Sequence, residues 1–126
     1  MTGASGGIGA AIAKALHGAG ASVALSGTRV EPLEALAAEL GERAFVTPCN
    51  LSDAEAVAEL PKQAAEALGA VDILVNNAGI TRDNLFMRMS EEEWDSVLQV
   101  NLKSAMILSK GVMRAMMKAR WGRIVN

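Results

Sequence analysis

Three glycines, at 3, 7 and 9 in the run Thr2-Gly3-Ala4-Ser5-Gly6-Gly7-Ile8-Gly9-Ala10, stand directly ahead of an alanine-rich stretch. That spacing is the one used to hold a dinucleotide. A turn without Cβ atoms lets backbone N–H groups close on a pyrophosphate, and the helix behind it points its positive end at the same anion. Gly3, Gly7 and Gly9 are therefore the first candidate binding residues. No Gly-Lys-Ser/Thr follows the glycines, which argues against a phosphate loop of the nucleoside triphosphatase kind.

A second candidate group follows the apolar run Ser22 to Ser26. A carboxylate placed there would hydrogen-bond the ribose hydroxyls of NAD and repel a 2′-phosphate. This chain has Ser26-Gly27-Thr28-Arg29, with no acid before Glu31. A guanidinium forks onto a phosphate, so Thr28 and Arg29 favour NADP, that is NADPH as reductant. The competing reading makes Arg29 a solvated charge ahead of a helix. Asn50 is similarly placed for the adenine edge or for a turn. His17, Cys49 and Asp83 are assigned no catalytic role: they read as an exposed helix residue, a small apolar filler at a strand end and an exposed loop carboxylate.

These groups need a frame of alternating strands and helices. Short apolar runs at Ser22 to Ser26, Ala44 to Thr47, Val71 to Asn76 and Gly122 to Asn126 read as strands. Helical patterns fill about Gly7 to Ala19, Val30 to Leu40 and Asp53 to Leu68, and then a long helix or bent pair runs from Ser90 to about Ala119. Ser90 with Glu93 forms a capping-box pattern, Asp53 caps the third helix, and Gly20, Gly41 and Gly69 stand at helix ends. Pro61 is expected to kink or divide its helix near Leu60. The alternation predicts an α/β chain, a Rossmann-like doubly wound parallel sheet, with residues 1–126 as a single partial dinucleotide-binding domain. The strand that should lead into the glycine turn is absent, because only Met1 precedes Thr2. In the strand order of such sheets it would lie between the strands at 22–26 and 71–76. Those strands then either expose unpaired edges, an aggregation hazard, or pair directly. The expectation is a fragment, cut on both sides.

Composition narrows the classes. Half of the 126 residues are apolar (51%), enough for a core, and twelve basic against fourteen acidic residues leave a net charge of −2. That balance argues against a nucleic-acid binder. One cysteine and one histidine far apart give no internal disulfide and no metal-ligand spacing. No apolar run approaches the roughly 20 residues of a membrane span and no leader pattern opens the chain, so a cytoplasmic protein is expected.

The run Asn76-Asn77-Ala78-Gly79-Ile80-Thr81-Arg82-Asp83-Asn84-Leu85-Phe86-Met87-Arg88-Met89 carries a resemblance. Together with the Thr-Gly-x-x-x-Gly-x-Gly pattern at 2–9 and with Asn101, it resembles the short-chain dehydrogenase/reductase family over essentially the whole chain. Within that family it is most similar to the branch that reduces 3-oxoacyl groups on acyl carrier protein in fatty-acid synthesis. The resemblance implies that Thr2, Ser5 and Ile8 line the glycine turn and that Asn76, Ala78 and Gly79 lie beside the cofactor ribose. It also implies that Asn101 is the family's catalytic asparagine, which bends its helix and holds a water in a proton relay. A buried asparagine that only satisfies backbone groups is the alternative. The family's catalytic serine, tyrosine and lysine would lie beyond Asn126, and the chain has no tyrosine, so the 126 residues alone are expected to be inactive. An acidic acyl carrier protein is the implied partner, with Lys118, Arg120 and Arg123 read either as its docking patch or as an ordinary solvated face, and the full-length form is expected to be a homo-oligomer. Rival expectations are another short-chain reductase, acting on acetoacetyl-CoA or a sugar or steroid ketone, and a non-catalytic nucleotide-binding module.

Overall fold

Local chemistry sets most helix ends. The Asp53 carboxylate accepts from the backbone N–H groups of Glu55 (3.0 Å) and Ala56 (3.2 Å). Ser90 and Glu93 form a complete capping box, Ser90 Oγ accepting from Glu93 N at 3.2 Å and Glu93 Oε2 from Ser90 N at 2.8 Å. The computed structural model describes all 126 residues. In order they form α1 (Gly7–Gly18), β1 (Val23–Leu25), α2 (Val30–Leu40), β2 (Ala44–Val46), α3 (Ala54–Leu68) and β3 (Ile73–Val75). A 3₁₀ turn (Phe86–Arg88), α4 (Glu91–Leu98), a π-helical turn (Gln99–Lys103), α5 (Ser104–Ala119) and β4 (Arg123–Val125) complete the chain. No helix is long and apolar enough to cross a membrane.

Pro61 does not divide α3, which runs unbroken through it. Its ring instead occupies the space over Gly111 of α5, where a Cβ would lie 2.5 Å from Pro61 Cγ. The lost N–H bond is offset by close helix packing, a tertiary gain that the helix's own sequence does not contain.

Two hydrophobic clusters hold the layers. Leu25 of β1 packs with Ala13 of α1 and with Leu33 and Leu36 of α2. Leu74 of β3 packs with Val57 and Leu60 of α3 and with Leu108, Val112 and Met116 of α5. Each buried leucine contributes about 1.5–3 kcal/mol relative to exposure. The methionines of α5 fall on two faces: Met116 is in the core, whereas Met106, Met113 and Met117 are exposed beside Leu102.

All strand pairing is parallel, β1 with β2 and β3 with β4, in two separate two-stranded sheets. β1 and β3 do not pair with each other. A strap from Met1 to Ala4 crosses between them at their C-terminal ends, where Met1 O accepts from Ser26 N, Thr2 N donates to Val75 O and Ala4 N to Ser26 O, each at 3.0 Å. Below the strap the edges of β1 and β3 face one another across an open slot. The expectation of unpaired edges thus holds for the lower part of the sheet.

Candidate functional site

The glycine turn is built by contacts too close for any side chain. Gly3 has φ +68°, in the left-handed region, and a Cβ on it would lie 2.9 Å from Ala78 Cα. A Cβ on Gly9 would stand 2.0 Å from Gly3 O, so the first turn of α1 and the chain before it touch backbone to backbone. Gly7 meets nothing within 4 Å and faces open space.

Asn77 locks this turn to the sheet. Its Nδ2 donates to Thr2 O (3.2 Å) and Gly3 O (3.3 Å), while Thr2 Oγ1 accepts from Asn77 N (3.2 Å) and Ala78 N (3.1 Å). Asn76, the expected ribose contact, points elsewhere: its Nδ2 donates to Asn126 Oδ1 at 2.8 Å, its backbone N pairs with Val125 O, and it does not line the cavity described next. The correction follows from strand alternation, since successive residues turn to opposite sides. The second asparagine of the pair, not the first, belongs to the site.

A cavity of about 530 Å³ opens along this turn. It is bordered by Thr2, Gly3, Ser5, Gly7, Ile8 and Gly9, by Thr28 and Arg29 past β1, by Asn50 past β2, and by Ala78 and Gly79 past β3. All the expected binding residues except Asn76 therefore converge at the C-terminal ends of the parallel strands, where open α/β sheets bind ligands. Gly6, Gly27 and Asn77 join them. Arg29 reaches across the rim, its Nη2 donating to Ser5 O at 3.2 Å. Asn50 lines the wall and also makes the turn its type allows, Oδ1 accepting from Ser52 N at 3.0 Å. Cys49 lines the wall as well, and burial, aided by the Asp53 charge, pushes its thiol pKa up, so it stays protonated.

The helix ends on this wall suit an anion. The N-cap residues are Gly6 for α1 and Arg29 for α2, and neither supplies a side-chain cap, in contrast to α3 and α4. The first turn of α1, Gly7 to Gly9, borders the cavity with its positive dipole end and no acidic side chain to compete, whereas α2 brings only its N-cap Arg29 to the wall. A dinucleotide with its pyrophosphate on Gly3–Gly9 and a further phosphate near Thr28 and Arg29 fits this donor set and volume.

Asn101 sits within the π-helical turn, so the helix is distorted where the resemblance implied a bend. Its side chain clamps the chain after Gly79: Oδ1 accepts from Ile80 N at 2.8 Å and Nδ2 donates to Ile80 O at 2.9 Å. It does not border the cavity; its neighbour Val100 does. In this structure Asn101 satisfies backbone groups, and through them it sets the position of Ala78 and Gly79.

The proposed docking patch lies away from the site. Arg123 opens β4 and pairs in register with Ile73, at the strand end opposite the cavity, and Lys118 and Arg120 precede it. Arg123 is also stacked over Trp121, 5.1 Å from the ring centroid.

A family model described as short chain dehydrogenase matches residues 1–126. Nodulation protein G of Rhizobium sp. (strain N33) is 56% identical over 100% of this chain and 51% of its own length. The 3-oxoacyl-[acyl-carrier-protein] reductase of Escherichia coli (strain K12) is 47% identical over 100% of this chain and 52% of its own. Among solved structures, a short-chain dehydrogenase from Streptomyces avermitilis superposes with a TM-score of 0.93 at 32% identity, covering 99% of this chain and 46% of that one. A metagenomic short-chain oxidoreductase in complex with NADP gives 0.92 at 40%, covering 98% and 57%. The chain thus spans about half the length of the curated relatives it matches. With the family model matched from end to end and the glycine turn, asparagine lock and parallel strands in place, the chain belongs to the short-chain dehydrogenases.

Proposed function

We propose that this chain is the cofactor-binding half of an NADPH-dependent reductase that converts a 3-oxoacyl thioester on acyl carrier protein to the 3-hydroxyacyl form. The observation that carries the cofactor choice is Arg29, placed on the cavity rim at an uncapped helix start, with no acid before Glu31. The similarity to a neighbour bound to NADP and to 3-oxoacyl-[acyl-carrier-protein] reductases supports the same reading. The bound dinucleotide supplies a hydride to the ketone carbon. The chain's own part is to seat the phosphates on Gly3, Gly7 and Gly9, to bind the 2′-phosphate through Thr28 and Arg29, and to hold Ala78 and Gly79 in place through Asn101 and Ile80. The proton for the developing alkoxide comes from a tyrosine in the family's pattern, and these 126 residues contain none. The chain alone is therefore expected to bind NADPH and to leave a 3-oxoacyl thioester unreduced.

Fluorescence titration with NADPH and NADH tests the cofactor reading. A charge-assisted bidentate contact is worth about 1.5–3 kcal/mol, so Arg29→Ala weakens NADPH binding roughly 10- to 150-fold and leaves NADH unchanged. Equal affinity of the parent for both dinucleotides refutes it. An acidic carrier protein is part of the same proposal. Lys118, Arg120 and Arg123 would meet it only at the far end of the strands, so reversing all three charges should weaken carrier binding without altering NADPH affinity. A second reading, a short-chain reductase acting on a different ketone, draws on the higher identity to nodulation protein G than to the E. coli reductase, 56% against 47%. Comparing 3-oxoacyl thioesters with acetoacetyl-CoA, sugar and steroid ketones, in a form that also carries the serine, tyrosine and lysine, separates the two.

A further inference from the structure

The cavity along the glycine turn has two walls that belong to different sheets. Asn50, Leu51 and Ser52 follow β2, Ala78, Gly79 and Ile80 follow β3, and Val100 of the π-helical turn borders the space with both. No strand pair joins the two sheets, so the spacing of these walls depends on contacts from elsewhere. The π-helical turn reaches both. Gln99 Nε2 donates to Leu51 O at 3.2 Å, 48 residues away in the chain. Asn101, two positions on, holds Ile80 on the other wall through its paired bonds of 2.8 and 2.9 Å. Side chains two apart on a helix leave in roughly opposite directions, so one turn can grip two loops while Val100 between them borders the cavity. The distortion has its own support. Ser104 N reaches back to Gln99 O, and the buried Ser104 hydroxyl donates to Val100 O at 2.6 Å. These bonds satisfy carbonyls that leave the regular helical ladder.

We infer that Gln99 is a positioning residue for the dinucleotide: through the Leu51 carbonyl it sets where Asn50, Leu51 and Ser52 stand, while Asn101 sets the wall beyond Gly79. The π-helical turn is a brace across the cavity, with one side chain for each wall. Gln99 does not border the cavity, so it acts only through the loop it holds. That loop is otherwise tied to itself and to the chain past β1: Asp53 N donates to Asn50 O and Cys49 N to Gly27 O, each at 3.0 Å. Gln99 ties it across to the helix. Because β1 and β2 are paired, this wall adjoins Thr28 and Arg29, the side of the cavity that takes the adenosine and its 2′-phosphate. Gln99 therefore governs the adenosine end of the ligand and Asn101 the opposite end. This role rests on the dinucleotide reading of the cavity.

The test titrates the 126-residue chain with NADPH and with 2′,5′-ADP, which keeps the adenine, ribose and 2′-phosphate and lacks the nicotinamide, and follows amide exchange. Gln99→Met keeps the side-chain length and removes the donor. It should weaken both ligands by the same factor, about five- to tenfold, and speed exchange at Cys49 and Asp53 with Ile80 unchanged. Asn101→Ala should do the reverse, speeding exchange at Ile80 while 2′,5′-ADP affinity stays within about twofold of the parent. A general loosening of the fold would speed all three amides in either variant, so the crossed pattern isolates the brace. Unchanged 2′,5′-ADP affinity in Gln99→Met, or equal acceleration at Ile80 in that variant, would overturn the role of Gln99. A parent chain that binds neither ligand removes the dinucleotide reading and this role with it. A parent that binds both, matched by Gln99→Met, removes the role alone.

Discussion

Adding one methyl group to Gly9 should damage the protein more than adding one to Gly7, although both glycines belong to the same turn. The methyl of Gly9→Ala would lie 2.0 Å from Gly3 O, 2.7 Å from Gly3 C and 2.9 Å from Asn77 Nδ2. Ordinary contact is about 3.5 Å, so the Gly3 carbonyl must retreat by roughly 1.5 Å. That carbonyl accepts from Gly6 N at 3.2 Å and from Asn77 Nδ2 at 3.3 Å, and neither bond survives the move. Two lost hydrogen bonds at about 1 kcal/mol each and an overpacking cost of about 1–3 kcal/mol are offset by about 1 kcal/mol of helix propensity gained. The net is a destabilisation of about 2–4 kcal/mol, a large share of a typical domain's stability and roughly 10 °C in Tm. Gly7→Ala meets no atom within 4 Å, so its fold should be unchanged or slightly firmer while the methyl obstructs the dinucleotide. Thermal melting of both variants, paired with NADPH titration, reads the two effects separately. If Gly9→Ala melts with the parent, or if Gly7→Ala is equally destabilised, the close backbone approach is not what positions the turn.

Asn101→Ala removes both bonds to Ile80 and should cost about 1–3 kcal/mol, with faster amide exchange at Ile80; a variant indistinguishable from the parent in denaturant midpoint and exchange would show that the clamp is idle. The Glu93 carboxyl is held below its ordinary pKa by the backbone N–H of Ser90 and by Asn84. Its folded pKa is depressed, so the stabilisation is present above the unfolded carboxylate value and is lost as pH falls through the folded value. Exchange protection at the start of α4 should thus decline on acidification below about pH 4, and Glu93→Gln should flatten that decline; an unchanged profile would contradict the capping box. Leu102, Met106, Met113 and Met117 form an exposed apolar stripe, and we expect a second copy to cover it. Sedimentation should report an oligomer that Met117→Glu dissociates, and a monomeric parent would remove the idea.

Sequence alone determined the alternation of strands and helices, the helix caps at Asp53 and Ser90, and the glycine turn, because each depends on residues within a few positions of one another. It also placed Thr28, Arg29, Asn50, Ala78 and Gly79 at strand ends, since parallel strands bring their C-terminal ends to one side whatever the details. Tertiary structure decided what depended on partners distant in the chain. Which asparagine of the pair at 76 and 77 enters the site turned on Thr2, some 75 residues earlier, and on Asn126, 50 residues later. Pro61 stayed inside an unbroken α3 because Gly111 leaves room for its ring. The methionines of α5 divide into Met116 in the core and Met106, Met113 and Met117 on the exposed side, a division set by how α5 packs against α3 and β3. Short-range hydrogen bonding and steric freedom are written in neighbouring residues, whereas side-chain direction and space are settled by what the rest of the fold brings alongside.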